Sequence, residues 1–150
     1  MSAAIHISVQ AEPFDVNDEL AALAGDGVGA VATFTGYVRG DGGLTAMTLE
    51  HYPGMTQREI RRCAEEAASR WPLTAATVIH RVGRLKVGEP IVFVATASSH
   101  RAAAFEACEF LMDYLKTRAP FWKQEERPDG KGWVEAKASD DAAAERWRGG

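Results

Sequence analysis

A group of cations surrounds a forced helix stop late in the chain. Lys116 and Arg118 precede Pro120, and Lys123 follows it after two aromatic residues. Proline cannot continue a helix and disfavours the helical conformation of the residue before it, so the chain must turn here and restart as a strand at Phe121. Three cations near one corner of a fold repel each other unless an anion lies among them. The pattern therefore predicts a pocket for a small, negatively charged ligand.

Two further basic positions lie next to turn or helix-start signals. Arg39 ends a predicted strand before a glycine-rich turn, and His100 and Arg101 follow a strand and open a helix. The first turn of a helix offers unpaired N–H groups that suit a phosphate or carboxylate. Each position also has a plain structural interpretation. An exposed arginine covers apolar surface with its stem, and Lys116 suits the dipole at the end of its helix.

Composition predicts one globular domain over residues 1–150 of a cytoplasmic protein. The chain has 150 residues, of which 46% are hydrophobic, enough for a core. It lacks the apolar run of about 18–20 residues that crosses a membrane, and it lacks a secretory signal pattern. The net charge of -4 argues against general nucleic-acid binding. Cys63 and Cys108 lie in helical patterns, which predicts reduced core thiols.

Other chemical signatures are absent from the sequence. No phosphate-binding loop, serine nucleophile elbow or zinc spacing of His and Cys occurs, so neither a metal nor a cofactor is expected. His6, His51 and His80 lie in strand patterns and are interpreted as structural residues. If the protein is an enzyme, it works mainly with cations and with groups that a substrate or partner supplies.

Strands and helices alternate along the chain, which predicts an α+β fold with largely antiparallel pairing and two main helices. The glycine-rich segment 40–43 is expected to be the turn of a hairpin. The predicted elements are a strand at 4–10, a helix capped by Asp15 and closed by Gly25, a buried strand at 28–38, a returning strand at 44–52, a helix from a Thr56/Glu59 capping box to Pro72, strands at 75–82 and 90–98, a helix capped by Ser98 or Ser99, and two short strands around 128–130.

Five motifs occur in order along the chain: TFTGYVR at 33–39, LEHYPGM at 49–55, VIHRVG at 78–83, SHR at 99–101 and MDYLKTRAPFWK at 112–123. Together they resemble the MoaE family, the large, catalytic subunit of molybdopterin synthase, over residues 28–136. The resemblance implies an α/β-hammerhead fold and a homodimer. Each protomer would bind one small ubiquitin-like subunit, giving a heterotetramer.

The resemblance also implies a reaction and the residues that perform it. Sulfur would pass from the partner's C-terminal Gly-Gly thiocarboxylate to cyclic pyranopterin monophosphate, building the dithiolene of molybdopterin without a metal. The family often has a basic residue at Gln124 and an arginine at Lys137, and the loop 40–43 is shorter than in some relatives. Carried over by motif, the catalytic positions are Lys116 and Lys123, and the substrate-binding positions are Tyr37, Val38, Arg39, His100, Arg101, Lys116, Lys123, Gln124 and Glu125.

Electrostatics supports this assignment, because the cyclic phosphate and the thiocarboxylate are both anions that must be brought together. Lys116 is the candidate for general acid/base work or for stabilising the tetrahedral adduct, and Lys123 for anchoring the substrate or the partner's terminus. Two rival classes remain. One is a non-catalytic adaptor that binds a ubiquitin-like tail, and the other is a different phosphate-ligand enzyme, such as a nucleotide-binding one.

The last residues of the chain imitate a ubiquitin-like terminus. The sequence ends in Arg148-Gly149-Gly150, but a compact ubiquitin-like module does not precede it. In the resembled family the Gly-Gly donor belongs to the partner. We therefore expect 138–150 to be a poorly ordered tail rather than a sulfur donor.

Overall fold

The computed structural model describes residues 3–134 together with Glu145 and Trp147. The expectations for Lys137 and for Gly149–Gly150 lie outside these residues, as does most of the tail 138–150. The elements in chain order are β1 (Ala4–Gln10), α1 (Val16–Leu23), β2 (Ala30–Tyr37), a 3-10 turn (Asp41–Gly43), β3 (Ala46–His51), α2 (Met55–Arg70), β4 (Leu73–Arg81), β5 (Gly83–Lys86), β6 (Pro90–Ser98), α3 (Arg101–Thr117), β7 (Phe121–Arg127) and β8 (Gly130–Val134).

The strands form two sheets of four strands each. The first sheet has the order β1-β4-β6-β2, and the second has the order β5-β3-β7-β8. β1 pairs with β4 in parallel, whereas the other pairings within the described residues are antiparallel. The predicted α+β class with mostly antiparallel pairing is therefore confirmed. In the described part of the chain, no helix is both long and apolar enough to cross a membrane.

The main core lies between the first sheet and the helices α2 and α3. α2 buries Ile60, Cys63, Ala64 and Ala67 on one face, as its period near 3.6 predicted. α3 adds Phe110, whose ring meets Trp71 and the tail residue Trp147 edge to face. Burying a large apolar side chain such as Ile60 or Phe110 contributes about 1.5–3 kcal/mol. This packing holds α3 rigidly across the sheet, and therefore fixes where its two ends lie.

The predicted hairpin between 28–38 and 44–52 is wrong. β2 pairs with β6 in the first sheet, whereas β3 pairs with β5 and β7 in the second. β2 is also an edge strand and not a buried one, because Ala32 is buried but Val31, Phe34 and Tyr37 are exposed. An apolar run has the same sequence pattern in a buried central strand and in an edge strand. The local pattern could therefore not distinguish the two.

The predicted capping box at Thr56 and Glu59 is also wrong. α2 begins at Met55 after Gly54, whose backbone N–H donates to Gln57 Oε1 at 2.9 Å. Thr56 lies inside the helix and is fully buried, and Glu59 instead forms an ion pair with Arg62. Residue spacing alone allows the helix cap to lie at either Gly54 or Thr56. The tertiary contact of the buried Thr56 decides in favour of Gly54.

Two other helix ends differ from expectation. Asp15 caps α1 as predicted, accepting from the N–H of Asp18 at 3.0 Å, but the C-cap is Ala24 and not Gly25. α3 has His100 at its N-cap, so neither predicted serine caps it. The Ser98 hydroxyl instead accepts from the N–H of His100 at 3.2 Å and donates to the carbonyl of Pro72 at 2.8 Å. Ser98 thus ties the start of α3 to the turn before β4.

Candidate active site

Lys116 lies in the last turn of α3 and is exposed. The helix ends one residue later, and the guanidinium of Arg118 lies over the Tyr114 ring at 4.9 Å. Within the described residues, the side-chain ammonium group of Lys116 has neither a carboxylate partner nor a hydrogen bond. The described part of the chain therefore leaves this charge uncompensated just before the chain turns into β7. An uncompensated cation at such a corner suits an anionic ligand.

The imidazole of His80, near the end of β4, faces the start of β7, just after the turn that follows Lys116. It stacks on the Phe121 ring at a centroid distance of 3.8 Å and an interplanar angle of 19°. Burial above all lowers the pKa of His80 to about 4, with smaller contributions from the charges of Lys116 and His51, although a hydrogen bond to the Arg81 carbonyl opposes the shift. His80 is therefore neutral at neutral pH, and Lys116 is the cation of this pair.

The strands β3 and β7 place Lys123 and Glu125 on one face. Lys123 pairs with Leu49, and Phe121 pairs with His51 at the end of β3. Side chains alternate between the two faces of a strand, so residues 121, 123 and 125 share the face of buried Leu49. Gln124 faces the opposite side. A contact from the Gln124 side chain would therefore not reach the same pocket as Lys123, whereas a backbone contact would.

Tyr37 is the last residue of β2, and Val38 follows it. Tyr37 is exposed, but Val38 is buried with Leu44, Met47 and Leu49. The Val38 N–H donates to the Glu89 carbonyl at 2.9 Å, and its carbonyl accepts from Gly88 at 2.8 Å. Val38 therefore anchors the chain and holds the next residue, Arg39, at the surface.

Arg39 projects from the loop that follows β2. Its side chain is 76% exposed and forms an ion pair with Asp41. Arg127, at the end of β7, donates to the carbonyls of Asp41 at 2.8 Å and of Gly42 at 3.1 Å. Glu125 in turn pairs with Arg127 at 2.9 Å. These contacts connect the loop to β7 and hold Arg39 on the side of the molecule that carries Glu125.

His100 and Arg101 lie at the opposite end of the protomer. Ala30 pairs with Ser98, whereas Tyr37 pairs with Pro90 at the other end of the same two strands. Seven residues of extended strand separate these ends by about 23 Å. Along α3, Arg101 and Lys116 are about 22 Å apart at 1.5 Å per residue. Arg101 therefore lies at the opposite end of α3 from Lys116.

Neither a reactive cysteine thiol nor a metal-binding group of side chains occurs among the described residues. Burial raises the pKa of the Cys63 and Cys108 thiols to about 11 each, so neither is an effective nucleophile at neutral pH. Among residues 3–134, 145 and 147, no three His, Cys, Asp or Glu side chains are grouped to hold a metal ion.

Two histidines that the sequence patterns predict to be structural meet at Phe121. His51 pairs with Phe121, and His80 stacks on its ring. Both lie near strand ends, inside the motifs at 49–55 and 78–83. Residues at strand ends more often line sites than residues in strand centres do.

Known proteins resemble this chain over most of its length. Residues 9–118 match the family model described as MoaE protein. The chain belongs to this family. It is 56% identical to the molybdopterin synthase catalytic subunits of Pseudomonas aeruginosa and Escherichia coli, in each case over 146 residues that cover 94% of this chain and 97% of the relative.

Solved structures of MoaE proteins show the same fold. The molybdopterin biosynthesis MoaE protein from Burkholderia ambifaria superposes with a TM-score of 0.84 at 51% identity, covering 95% of this chain and 97% of that one. Molybdopterin synthase from Staphylococcus aureus gives 0.79 at 29% identity, with coverages of 87% and 96%. The resemblance stated from the five motifs is confirmed. The motifs at 49–55, 78–83 and 112–123 meet where Phe121 pairs with His51 and stacks on His80, and the SHR motif lies at the other end of α3.

Proposed function

We propose that this chain is the catalytic subunit of molybdopterin synthase. It transfers sulfur from the C-terminal thiocarboxylate of a small ubiquitin-like partner to cyclic pyranopterin monophosphate, forming the dithiolene of molybdopterin in the cytoplasm. The observation that carries the proposal is the meeting of three family motifs at Phe121, five residues after Lys116, an exposed cation without a carboxylate partner among the described residues. The free, buried thiols of Cys63 and Cys108 fit a reducing compartment.

The geometry suggests separate roles for the two lysines. Lys116 is exposed, so it reaches an incoming group and stabilises the negative charge of the adduct between thiocarboxylate and substrate. It also holds or delivers the proton that this adduct requires. Lys123 is half-buried on the inner face of β7, where a cation anchors substrate or the partner's terminus. Tyr37 and Arg39 border the same corner and add a phosphate-binding group.

His100 and Arg101 reach this pocket from a second copy of the chain. β2 is an edge strand with Val31 and Phe34 exposed, and Phe105 beside it on α3 is 67% exposed. A twofold axis through the middle of β2 would pair the start of one β2 with the end of the other. The start of β2 lies next to the α3 N-terminus. The homodimer that we propose therefore places Arg101 of one protomer near Arg39 of its partner.

A single-turnover assay tests the proposed reaction. Purified protein is mixed with a thiocarboxylated small subunit and cyclic pyranopterin monophosphate, and the dithiolene product is followed for wild type, Lys116→Ala and Lys131→Ala. Lys131 is an exposed lysine on β8 and serves as the matched control. We expect product from wild type and Lys131→Ala, and a loss of about a hundredfold or more in Lys116→Ala. Partner binding by wild type without product would instead favour the adaptor.

A further inference from the structure

We propose that Arg127 is a positioning residue for Arg39, and that Glu125 serves the reaction by orienting Arg127 and not by touching substrate. This inference deepens the proposed function and rests on the role of Arg39 as a phosphate-binding group in it. The observation behind it is a continuous series of hydrogen bonds and ion pairs that runs from β7 to the Arg39 side chain.

Arg127 bridges β7 and the loop that carries Arg39. Its Nη1 atom donates to the backbone carbonyls of Asp41 at 2.8 Å and of Gly42 at 3.1 Å. Its Nη2 atom donates to Glu125 Oε1 at 2.9 Å. The planar guanidinium presents its N–H groups in fixed directions, so a partner on one nitrogen sets the direction of the other. Glu125 therefore orients the group that holds the loop.

Asp41 connects this bridge to Arg39. Its backbone carbonyl accepts from Arg127, and its side-chain carboxylate forms an ion pair with Nε of Arg39. The same carbonyl accepts from the Leu44 N–H at 3.1 Å, which closes the short turn. One residue thus fixes the loop backbone and restrains the Arg39 side chain. A loop that moved away from Arg127 would carry Arg39 with it.

The glycines of the loop have conformations that suit this bridge. Gly42 and Gly43 have positive φ angles of 61° and 80°, a region that favours glycine. A Cβ atom at Gly42 would lie 3.3 Å from Nη1 of Arg127, so a side chain there would crowd the guanidinium. The glycine-rich turn therefore lets the loop carbonyls approach Arg127 closely.

The backbone of Arg39 lies between two anchors. On one side, Val38 exchanges backbone hydrogen bonds with Gly88 and Glu89, just before β6. On the other side, Arg127 holds the loop carbonyls. The Arg39 side chain is 76% exposed, and an arginine so exposed loses rotamer freedom when it binds a ligand. Anchors on both sides narrow the region that the guanidinium samples, which reduces this entropy loss.

A second arginine–glutamate pair in the same sheet lacks these loop contacts. Arg84 pairs with Glu126 at 3.0 Å, and within the described residues its side chain donates to Glu126 alone. Because side chains alternate along a strand, Glu126 lies on the opposite face of β7 from Glu125 and Arg127. Arg84→Ala therefore removes an equally close ion pair without touching the loop, and it is the matched control.

The single-turnover assay on the full-length protein, run over a range of cyclic pyranopterin monophosphate concentrations, gives the first readout. We expect Arg127→Ala and Glu125→Ala to raise the substrate concentration at half-maximal rate by about fivefold or more, with a smaller change in the maximal rate, because the phosphate contact is weakened. Glu125→Gln keeps an oxygen that accepts from Arg127 and should recover most of the loss. Arg84→Ala should match wild type.

Double variants test whether these residues act through Arg39. Arg127→Ala should add no further loss to Arg39→Ala, because no guanidinium is left to position. Glu125→Ala should likewise add nothing to Arg127→Ala. Losses that multiply in either pair would overturn the inference, since the two residues would then act independently. An unchanged half-maximal concentration in folded Arg127→Ala would also overturn it.

Hydrogen exchange tests the bridge without the reaction. We expect the Leu44 N–H to exchange about tenfold faster or more in Arg127→Ala than in wild type, because the turn that it closes opens more often. Arg84→Ala should leave this rate unchanged. Equal exchange in Arg127→Ala and wild type would contradict the bridge. If wild type gives no product, the proposed function fails, and this comparison alone decides whether Arg127 holds the loop.

Discussion

Single cations in this protein fall into two groups that differ in their partners. Arg81 is buried and held by the Ala11 and Pro90 carbonyls and by Glu89. Arg84 is paired with Glu126 at 3.0 Å. These arginines stabilise the fold, whereas Lys116 has no such partner among the described residues. A cation that the described residues do not neutralise is available to a ligand, which is why Lys116 is the centre of the proposed site.

The Lys116 side chain should be dispensable for stability. Because it is exposed and unpaired within the described chain, we expect Lys116→Ala to change the free energy of unfolding by no more than about 0.5 kcal/mol. Urea unfolding followed by circular dichroism measures this change. A destabilisation above about 2 kcal/mol would mean that lost activity reflects lost structure.

His80 makes the stability of the fold depend on pH. The unfolded chain protonates this histidine near its ordinary pKa of about 6.5, whereas the folded protein does so only near a pKa of about 4. Between these values the unfolded state binds more protons, so the free energy of unfolding falls as pH falls from about 6.5 toward 4. In His80→Phe we expect a smaller fall. Urea unfolding at several pH values measures both slopes, and identical slopes would contradict this assignment.

At the scale of elements, one buried hydroxyl joins the segments that carry the site. The Thr56 hydroxyl, in the first turn of α2, accepts from the N–H of Tyr52 at 3.1 Å and donates to the carbonyl of Pro120 at 3.0 Å. It thus links the end of β3 and the start of α2 to the turn between α3 and β7. Lys116 and Lys123 lie on the two sides of that turn, so this link fixes their separation.

We expect Thr56→Val to destabilise the fold by about 1–3 kcal/mol, because the isosteric change leaves two backbone groups without their partner. The exposed strand threonine Thr74 supplies the control, and Thr74→Val should stay within about 0.5 kcal/mol of wild type. Thermal and urea unfolding measure both variants. Equal effects of the two substitutions would show that the Thr56 hydrogen bonds contribute nothing specific.

The start of α3 depends on a close approach of two backbone segments. A Cβ atom at Gly29 would lie 2.2 Å from the Ser99 carbonyl oxygen, next to His100 and Arg101. We expect Gly29→Ala to cost about 1–3 kcal/mol through overpacking and to displace this end of the helix. Gly27→Ala is the control, because nothing lies within 4 Å of a Cβ there. Comparable free energies of unfolding for the two variants would contradict the contact.

For the whole molecule, the proposed site requires two copies of the chain. Arg101 and Lys116 lie at opposite ends of α3, so neither folding nor side-chain motion within one protomer brings them together. The twofold arrangement across β2 would do so twice in each dimer, once on each side of the axis. Function and assembly are then linked, because a monomer would hold two incomplete groups of cations.

Mixing two inactive variants tests this arrangement. In the proposed dimer, each site takes Arg101 from one protomer and Lys116 from the other. A dimer of one Arg101→Ala protomer and one Lys116→Ala protomer therefore has one intact site and one site that carries both changes. After the subunits exchange, we expect activity from about a quarter of the wild-type number of sites, as random pairing of symmetric dimers dictates. Single-turnover product in the exchanged mixture, against each variant alone, is the measurement. No recovery in a mixture proven to contain mixed dimers would place both residues in the same protomer's site.

The sequence by itself determined the features that depend on neighbouring residues. The bounds of β1, the Asp15 cap, the apolar face of α2 and the restart of the chain as β7 after Pro120 all follow from local periodicity or from proline geometry. The cations at 39, 101, 116 and 123 were also visible, since charge is a property of the residue. The five motifs identified the family for the same reason.

Only the tertiary structure decided which of these parts meet. The sheet partners of β2 and β3, the burial of Thr56 and the stacking of His80 on Phe121 depend on contacts between residues far apart in the chain. Local patterns carry no signal for such contacts, because an apolar strand fits equally well beside several partners. Packing of α3 across the first sheet selects one arrangement. That choice brings His51 and His80 to Phe121 and leaves Arg101 at the opposite end of α3 from Lys116.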